Sequence, residues 1–148
     1  MNRVALITGS SRGIGRATAE EFAKRGYDVI INYVHSKEKA EALCTQLEQQ
    51  YGVKVRAIKA DLASETEVRA MAQQALAEFG KVDVLVNNAG IALYSEVKDK
   101  TVADWNLTLQ TNLIAPFLLS QILGAEMVKN HYGKIVNIAS IDAIYTYN

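Results

Sequence analysis

One glycine-rich segment near the start of the chain restricts its fold more than any other feature. Residues 8–15 read TGSSRGIG and follow the apolar run Val4-Ala5-Leu6-Ile7. A continuous apolar run of this length is typical of a strand buried on both faces of a sheet. The residues after the glycines have helical spacing, with Ile14, Ala17 and Phe22 on one face, and Gly26 is expected to end that helix.

The rest of the chain continues the alternation of strand and helix. Further strands are predicted near residues 29–31, 53–58, 82–86 and 135–138, and further helices near residues 37–51, 65–79 and 103–128. Ser64 is expected to cap the third helix in a capping box with Glu67. Short loops join all of these elements. The pattern predicts an α/β fold with a doubly wound parallel sheet of the Rossmann type, in which residues 1–148 form one domain.

Each glycine of the first turn has a separate physical role in such a fold. Gly9 permits the tight turn off the strand, Gly13 lets the backbone approach a pyrophosphate, and Gly15 lets the helix pack closely on the sheet. The N-terminus of the helix then presents free N–H groups and a partial positive charge. The alternative is a tight turn with a structural role alone.

Composition excludes several classes of protein. Sixteen basic and sixteen acidic residues balance, which argues against nucleic-acid or anionic-membrane surfaces. No apolar stretch is expected to span a bilayer, and the first apolar run is too short for a signal peptide. With Cys44 as the sole cysteine, we expect a cytoplasmic protein. His35, His131 and Cys44 form no cluster in the sequence, so no metal site is expected.

Several motifs in order resemble the short-chain dehydrogenase/reductase family. The spacing G-x-x-x-G-x-G in TGSSRGIG is followed by Asp61-Leu62 after the third strand and by Asn87-Asn88-Ala89-Gly90 after the fourth. Asn112 then lies in the long helix and Ser140 after the fifth strand. The resemblance covers nearly every residue from Arg3 to Ser140. Family members have about a hundred residues more, so these five strands would belong to an expected seven.

The resemblance implies an activity and a set of site residues. Within the family the chain looks most like 3-oxoacyl-acyl-carrier-protein reductases, which implies NADPH-dependent reduction of a carbonyl, such as a 3-oxoacyl thioester, by a homo-oligomer. Ser140 would fix the carbonyl oxygen and Asn112 would anchor a water. The implied NADP(H)-binding residues are Gly9, Ser11, Arg12, Gly13, Ile14, Gly15, Asn32, Asp61, Leu62, Asn88, Ala89 and Gly90. A sugar or alcohol dehydrogenase, or an inactive dinucleotide-binding module, remains an alternative.

The end of the second strand favours NADP over NAD. An NAD enzyme of this fold places an acidic residue there to bind the ribose 2′-hydroxyl. Here the strand ends Ile31-Asn32-Tyr33, without an acid. Arg12 can reach the same region and clamp a 2′-phosphate. The alternative for Arg12 is an ordinary exposed arginine of a loop, and for Asp61 it is a cap of the following loop.

The family's catalytic Tyr-x-x-x-Lys is not found after the fifth strand in these 148 residues. Two such strings, at residues 33–37 and 94–98, lie elsewhere in the fold and are interpreted as coincidence. Tyr145 and Tyr147 follow Ser140 too closely. The 148-residue chain alone is therefore expected to lack activity.

Two expectations concern the long helix and the last strand. Pro116 has no N–H to give to the carbonyl of Asn112, so that carbonyl is predicted to be free to hold a water. The fifth strand is predicted to be an open edge, with apolar side chains of the long helix partly exposed beside it. These side chains are Leu113, Phe117, Leu118 and Ile122. Such surfaces favour association, so the isolated chain is not expected to be a monomer.

Overall fold

The computed structural model describes residues 2–141 of the chain. Five parallel strands form one sheet in the order β3-β2-β1-β4-β5. Their bounds are β1 Val4–Ile7, β2 Asp28–Tyr33, β3 Val55–Lys59, β4 Val84–Asn87 and β5 Lys134–Asn137. The chain moves outward from β1 in one direction and then returns to add β4 and β5 on the other side. This reversal at β1 creates the crevice where open α/β sheets bind ligands.

Helices cover both faces of the sheet. They are α1 Gly13–Lys24, α2 Lys37–Tyr51, α3 Glu65–Phe79, α4 Val102–Leu109 and α5 Ala115–Lys129. Two separate apolar clusters show which helix covers which face. Ala19 of α1 and Leu43 of α2 pack on one face, while Met71 of α3 and Leu119 of α5 pack on the other. The predicted doubly wound parallel sheet is confirmed.

The inner face of α1 differs from the one that its apolar spacing predicted. Ile14 is 67% exposed and Ala17 is also exposed, whereas Gly15, Ala19 and Ala23 are buried. Small residues on the inner face let the helix axis lie close to the sheet, so the larger Ile14 is left outside. The apolar spacing therefore misplaced Ile14 and Ala17, whereas Phe22 does pack against the core.

Only one of the two hydrogen bonds of the capping box expected at the start of α3 is formed. Ser64 caps the helix by accepting from the N–H of Glu67 at 3.3 Å. The carboxylate of Glu67 does not return to Ser64 but accepts from the N–H of Asp61 at 2.8 Å. A complete capping box appears instead at the start of α4, between Thr101 and Asp104.

The long helix runs from Val102 to Lys129 and is interrupted by a π-helical turn at Gln110–Ile114. Its 28 residues are long and apolar enough, by length and composition alone, to cross a bilayer. The expectation that no stretch would reach that length is therefore wrong. Leu119, Leu123 and Met127 of its second half are nevertheless buried in the core beneath the sheet, as in the core helix of a globular domain.

Strand β5 is the open edge that the sequence predicted, and all four of its residues are exposed. On the neighbouring helix, Leu113 and Phe117 are 62% and 59% exposed. Leu118 differs from the expectation because it is only 4% exposed and packs in the core. Helical periodicity turns Leu118 about 100° away from Phe117 and so towards the sheet.

Candidate functional site

The glycine loop between β1 and α1 depends on all three of its glycines. Gly9 and Gly13 have φ angles of +61° and +57°, a region that side chains disfavour. A Cβ on Gly15 would lie 2.5 Å from the side-chain nitrogen of Asn88 and 2.6 Å from the carbonyl oxygen of Gly9. Gly15 therefore permits a close approach to the loops after β1 and β4, rather than to the sheet as expected.

A side chain of β2 and one of the loop itself hold the glycine loop in place. Oδ1 of Asn32 accepts from the N–H of Gly9 at 3.0 Å, and its Nδ2 donates to the carbonyl of Ala60 at 3.1 Å. The hydroxyl of Ser10 donates to the carbonyl of Ile7 at 2.7 Å. Asn32 is 1% exposed, so its side chain serves the site by positioning this loop.

Thr8 joins the glycine loop to the turn after β4. Its hydroxyl oxygen accepts from the N–H groups of Asn88 and Ala89, both at 3.0 Å. The side chain of Asn88 donates back to the carbonyl of Thr8 at 2.8 Å. The turn after β4 and the glycine loop are thus one hydrogen-bonded unit at the carboxyl edge of the sheet.

The front of this unit is open and has the properties of an anion site. A Cβ on Gly13 would meet nothing within 4 Å, so the backbone there is accessible to a ligand. No side chain caps the N-terminus of α1 at Arg12, which leaves the N–H groups of the first turn available. Arg12 is exposed and forms no ion pair within residues 2–141. These features fit the pyrophosphate of a dinucleotide.

Asp61 and Leu62 follow β3 at the same edge of the sheet. Oδ1 of Asp61 accepts from the N–H of Ala63 at 2.9 Å, which makes it a cap of its own loop. Its second oxygen, Oδ2, takes no part in that cap and remains available to a cofactor. Leu62 is 3% exposed and lies in the core, so only its backbone is available to a cofactor.

A cleft of about 820 Å³ lies beside this unit, between the ends of β4 and β5 and the long helix. Asn112 and Ser140, the two predicted catalytic residues, both line it, together with Asn88, Ala89 and Gly90. The structure therefore brings the two predicted residue groups to one place. Ser140 follows β5 at its carboxyl end and is exposed.

Asn112 lies within the π-helical turn, where the helix is irregular as the sequence predicted. The N–H of Ala115 donates to the carbonyl of Gln110, five residues earlier. Pro116 has no N–H and can donate neither to Thr111 nor to Asn112. π-helical turns occur frequently at functional sites. The water that Asn112 would hold remains a prediction.

Neither Tyr-x-x-x-Lys string within the described residues reaches the cleft. Tyr33 is buried in the core on the other face of the sheet. Tyr94 is 94% exposed and is absent from the cleft lining, and Lys98 pairs with Glu96 at 2.8 Å. The positions of both strings agree with their interpretation as chance matches to the Tyr-x-x-x-Lys pattern. Tyr145 and Tyr147 lie outside the described residues.

Comparison with known proteins decides the family. Residues 3–148 match the family described as short chain dehydrogenase. The chain belongs to the short-chain dehydrogenase family. The resemblance inferred from the glycine spacing and the four later motifs is therefore confirmed.

Individual relatives agree with this assignment. The 3-oxoacyl-[acyl-carrier-protein] reductase of Staphylococcus epidermidis is 41% identical over 141 residues, which are 95% of this chain and 57% of that protein. The (2S)-[(R)-hydroxy(phenyl)methyl]succinyl-CoA dehydrogenase subunit BbsD of Thauera aromatica is 41% identical over 94% of this chain and 55% of its own length. The chain thus spans little more than half the length of these short-chain dehydrogenases.

A solved structure shows the same fold. The blue fluorescent protein from a metagenomic library, in complex with NADPH, superposes with a TM-score of 0.90 and 42% identity. The match covers 95% of this chain and 57% of that one.

Sequence reasoning missed the residues that brace this short-chain dehydrogenase site from behind. The sequence assigned no role to Thr8, Ser10, Ser120 or Asn137, and Asn87 entered only as part of the Asn-Asn-Ala-Gly motif. Both Thr8 and Ser10 are buried. A buried hydroxyl next to a glycine turn needs a hydrogen-bond partner, and that requirement was the available signal.

Proposed function

We propose that the protein is an NADP(H)-dependent oxidoreductase that reduces a carbonyl to an alcohol, with a 3-oxoacyl thioester as its substrate. The observation that carries this proposal is the uncapped N-terminus of α1 behind an open glycine loop, next to a cleft that contains Asn112 and Ser140. The 3-oxoacyl assignment draws on the Staphylococcus epidermidis relative. A cytoplasmic location and a homo-oligomeric state belong to the same proposal.

The cofactor would lie across the carboxyl edge of the sheet. The N–H groups of Gly13, Ile14 and Gly15 would bind its pyrophosphate, and Arg12 would bind the 2′-phosphate. The NADPH-bound short-chain relative supports this choice of cofactor. Ser11 and the backbone of Leu62 would complete the pocket around Asp61 at the adenosine end, while Asn32 would position the glycine loop from behind.

The cleft would hold the reacting end of the cofactor and the substrate. Ala89 and Gly90 are small enough for the ribose to approach the backbone after β4. The hydroxyl of Ser140 would donate to the carbonyl oxygen of the substrate, where negative charge develops. The bound cofactor would supply the hydride. The carbonyl of Asn112 would hold a water that passes the proton.

The test is a titration of the intact protein with NADPH and NADH, followed by nicotinamide fluorescence and then by turnover of 3-oxoacyl thioesters. We expect saturable binding with NADPH preferred, and oxidation of NADPH that depends on the thioester. Equal or tighter binding of NADH would contradict the cofactor assignment. Turnover of a sugar or a simple ketone, but not of the thioester, would contradict the substrate.

A dinucleotide-binding module without turnover is the second candidate. The observation that favours it is the position of the two Tyr-x-x-x-Lys strings, one buried in the core and the other away from the cleft. Saturable NADPH binding without oxidation by any carbonyl compound would support this alternative. It would leave the nucleotide site as proposed.

A further inference from the structure

A buried amide contact behind the cleft joins the ends of β4 and β5. Asn87 and Asn137 are directly opposite each other in the parallel register of the two strands. Nδ2 of Asn87 donates to Oδ1 of Asn137 at 2.8 Å. Asn87 is 4% exposed, whereas Asn137 is exposed on the edge strand. The buried member of the pair therefore depends on the exposed one for its hydrogen bond.

The other contacts of Asn87 make that dependence stronger. The next acceptor for Nδ2 is the hydroxyl of Ser120 on α5, at 3.5 Å, which is a long contact. Oδ1 of Asn87 is buried and has no hydrogen-bond partner within residues 2–141. The orientation of the Asn87 amide is thus set mainly by a single short bond to Asn137.

Both strands lead directly from this contact into the proposed site. Asn87 precedes Asn88, Ala89 and Gly90, and Asn137 is three residues before Ser140. Asn87, Asn137 and Ser120 line the same cleft as Asn112. A backbone bond from the N–H of Ile138 to the carbonyl of Asn87, at 2.9 Å, is the last one between the two strands. The side-chain contact between Asn87 and Asn137 lies directly before this bond, and the two together hold the strand ends.

We propose that Asn137 is a positioning residue, which holds the Asn87 amide and thereby fixes the distance between the turn after β4 and Ser140. This inference rests on the proposed function, because that turn and Ser140 would face each other across the reacting carbonyl. Without the acceptor at position 137, the Asn87 amide turns towards Ser120 and the turn after β4 shifts relative to Ser140, while the backbone bond between Ile138 and Asn87 remains.

Two substitutions at position 137 separate this role from a general role in folding. Asn137→Val removes the acceptor but keeps a residue that favours strands at an exposed edge position. Asn137→Asp keeps an oxygen that accepts from Nδ2 of Asn87. Lys134→Thr changes the exposed residue at the other end of β5 and leaves the amide contact intact.

The experiment compares these variants in the intact protein by steady-state kinetics. For Asn137→Val we expect kcat to fall by about tenfold, while the KM for NADPH stays within about twofold, because misplacement of a reacting group affects turnover more than binding. Asn137→Asp and Lys134→Thr should retain at least about half of kcat. A kcat for Asn137→Val within about twofold of the unsubstituted protein would overturn the proposal. An equal loss of kcat in Asn137→Asp would also overturn the proposal.

A second measurement does not depend on turnover. In the ¹⁵N-labelled protein, Asn137→Val should shift the side-chain amide resonances of Asn87 and the backbone resonances of Asn88 and Ala89. Asn137→Asp should shift them much less. Unchanged resonances in Asn137→Val would reject the positioning role. Absence of carbonyl reduction in the unsubstituted protein would instead reject the proposed function, so the two failures are distinguishable.

Discussion

The side chain of Asn112 forms a pair of hydrogen bonds with the backbone of Ile91. Its Oδ1 accepts from the N–H of Ile91 at 2.9 Å, and its Nδ2 donates to the carbonyl of Ile91 at 2.8 Å. The long helix thereby holds the first residue of the loop that follows Gly90. Asn112 therefore contributes its side chain to the structure of the site and leaves its backbone carbonyl for the proposed water.

Asn112→Ala should loosen this loop. Both bonds are exposed to solvent, so we expect a loss of about 1 kcal/mol in the free energy of unfolding. Hydrogen exchange at the amide of Ile91 should become faster. Asn106→Ala, at an exposed position of α4, is the matched control and should leave that exchange rate unchanged. An unchanged rate in Asn112→Ala would show that the loop is held by other contacts.

Gly15→Ala should damage the cofactor site and the fold together. The added methyl group would overlap Asn88 and the carbonyl of Gly9, so we expect the protein to lose about 2 kcal/mol of stability. Gly124→Ala is the control, because a Cβ there would meet only Ile135 at an ordinary 3.8 Å and alanine favours a helix. Chemical denaturation measures the free energy of unfolding of both variants. Equal stability of the two variants would contradict the close approach at Gly15.

Arg12→Ala should weaken NADPH binding by about tenfold or more and leave NADH binding nearly unchanged, because the lost contact is to the 2′-phosphate alone. Arg16→Ala is the matched control. Arg16 lies in the first turns of α1, four residues after Arg12, but pairs with Glu20 at 2.8 Å and reaches Gln46 of α2. Fluorescence titration with both nucleotides decides the matter. A parallel loss for NADPH and NADH would mean that Arg12 acts on the shared part of the cofactor.

Burial raises the pKa of the Cys44 thiol to about 11, and the nearby carboxylate of Glu48 adds to the effect. The folded state therefore holds this proton more tightly than the unfolded state, whose thiol has a pKa of about 8.5. The stabilising contribution is complete below that value and is lost as the pH rises towards 11. In urea titrations above pH 9, the unsubstituted chain should lose stability more steeply than Cys44→Ala. If the free energy of unfolding fell equally with pH in both proteins, the raised pKa would be contradicted.

The open edge of β5 and the apolar side chains beside it should make the 148-residue chain associate. Val136 and Ile138 are 45% and 47% exposed on or just after that strand. Val136→Lys should reduce the apparent mass in light scattering, because charge on an edge strand opposes pairing. Val128→Lys, on the outer side of α5 where Val128 is 75% exposed, is the control. A monodisperse monomer before substitution would contradict the prediction.

Much of the fold could be predicted because buried parallel strands and glycine turns leave direct traces in the sequence. The runs at Val4 and Val29 and the end of α1 before Gly26 agree with the structure. The face of α1 could not be predicted from apolar spacing, because close packing selects small residues rather than large ones there. Leu118 was misplaced for a related reason, since a helix that is apolar on several sides does not show which side is inward.

The motifs of the candidate site come together in the structure, since Asn112 and Ser140 line one cleft. Which residues of those motifs face the cofactor and which hold a neighbouring loop could not be predicted. Asn32 was expected at the cofactor but is buried and holds the N–H of Gly9. Whether a polar side chain faces a ligand or a neighbouring loop depends on contacts between residues far apart in sequence, which a local pattern does not contain.

The π-helical turn at Gln110–Ile114 also sets the rotational phase of the long helix. A turn closed over five residues instead of four carries one extra residue, which rotates everything after it by about 100° relative to a regular helix. Leu119 and Leu123 face the sheet only with that rotation in place. A regular helix that kept all five residues would carry the buried face of α5 out of the core, whereas deleting one residue from the turn would restore regular hydrogen bonding and leave that face directed at the sheet. Helical regularity at Asn112 and the packing of α5 are therefore mutually exclusive in this chain.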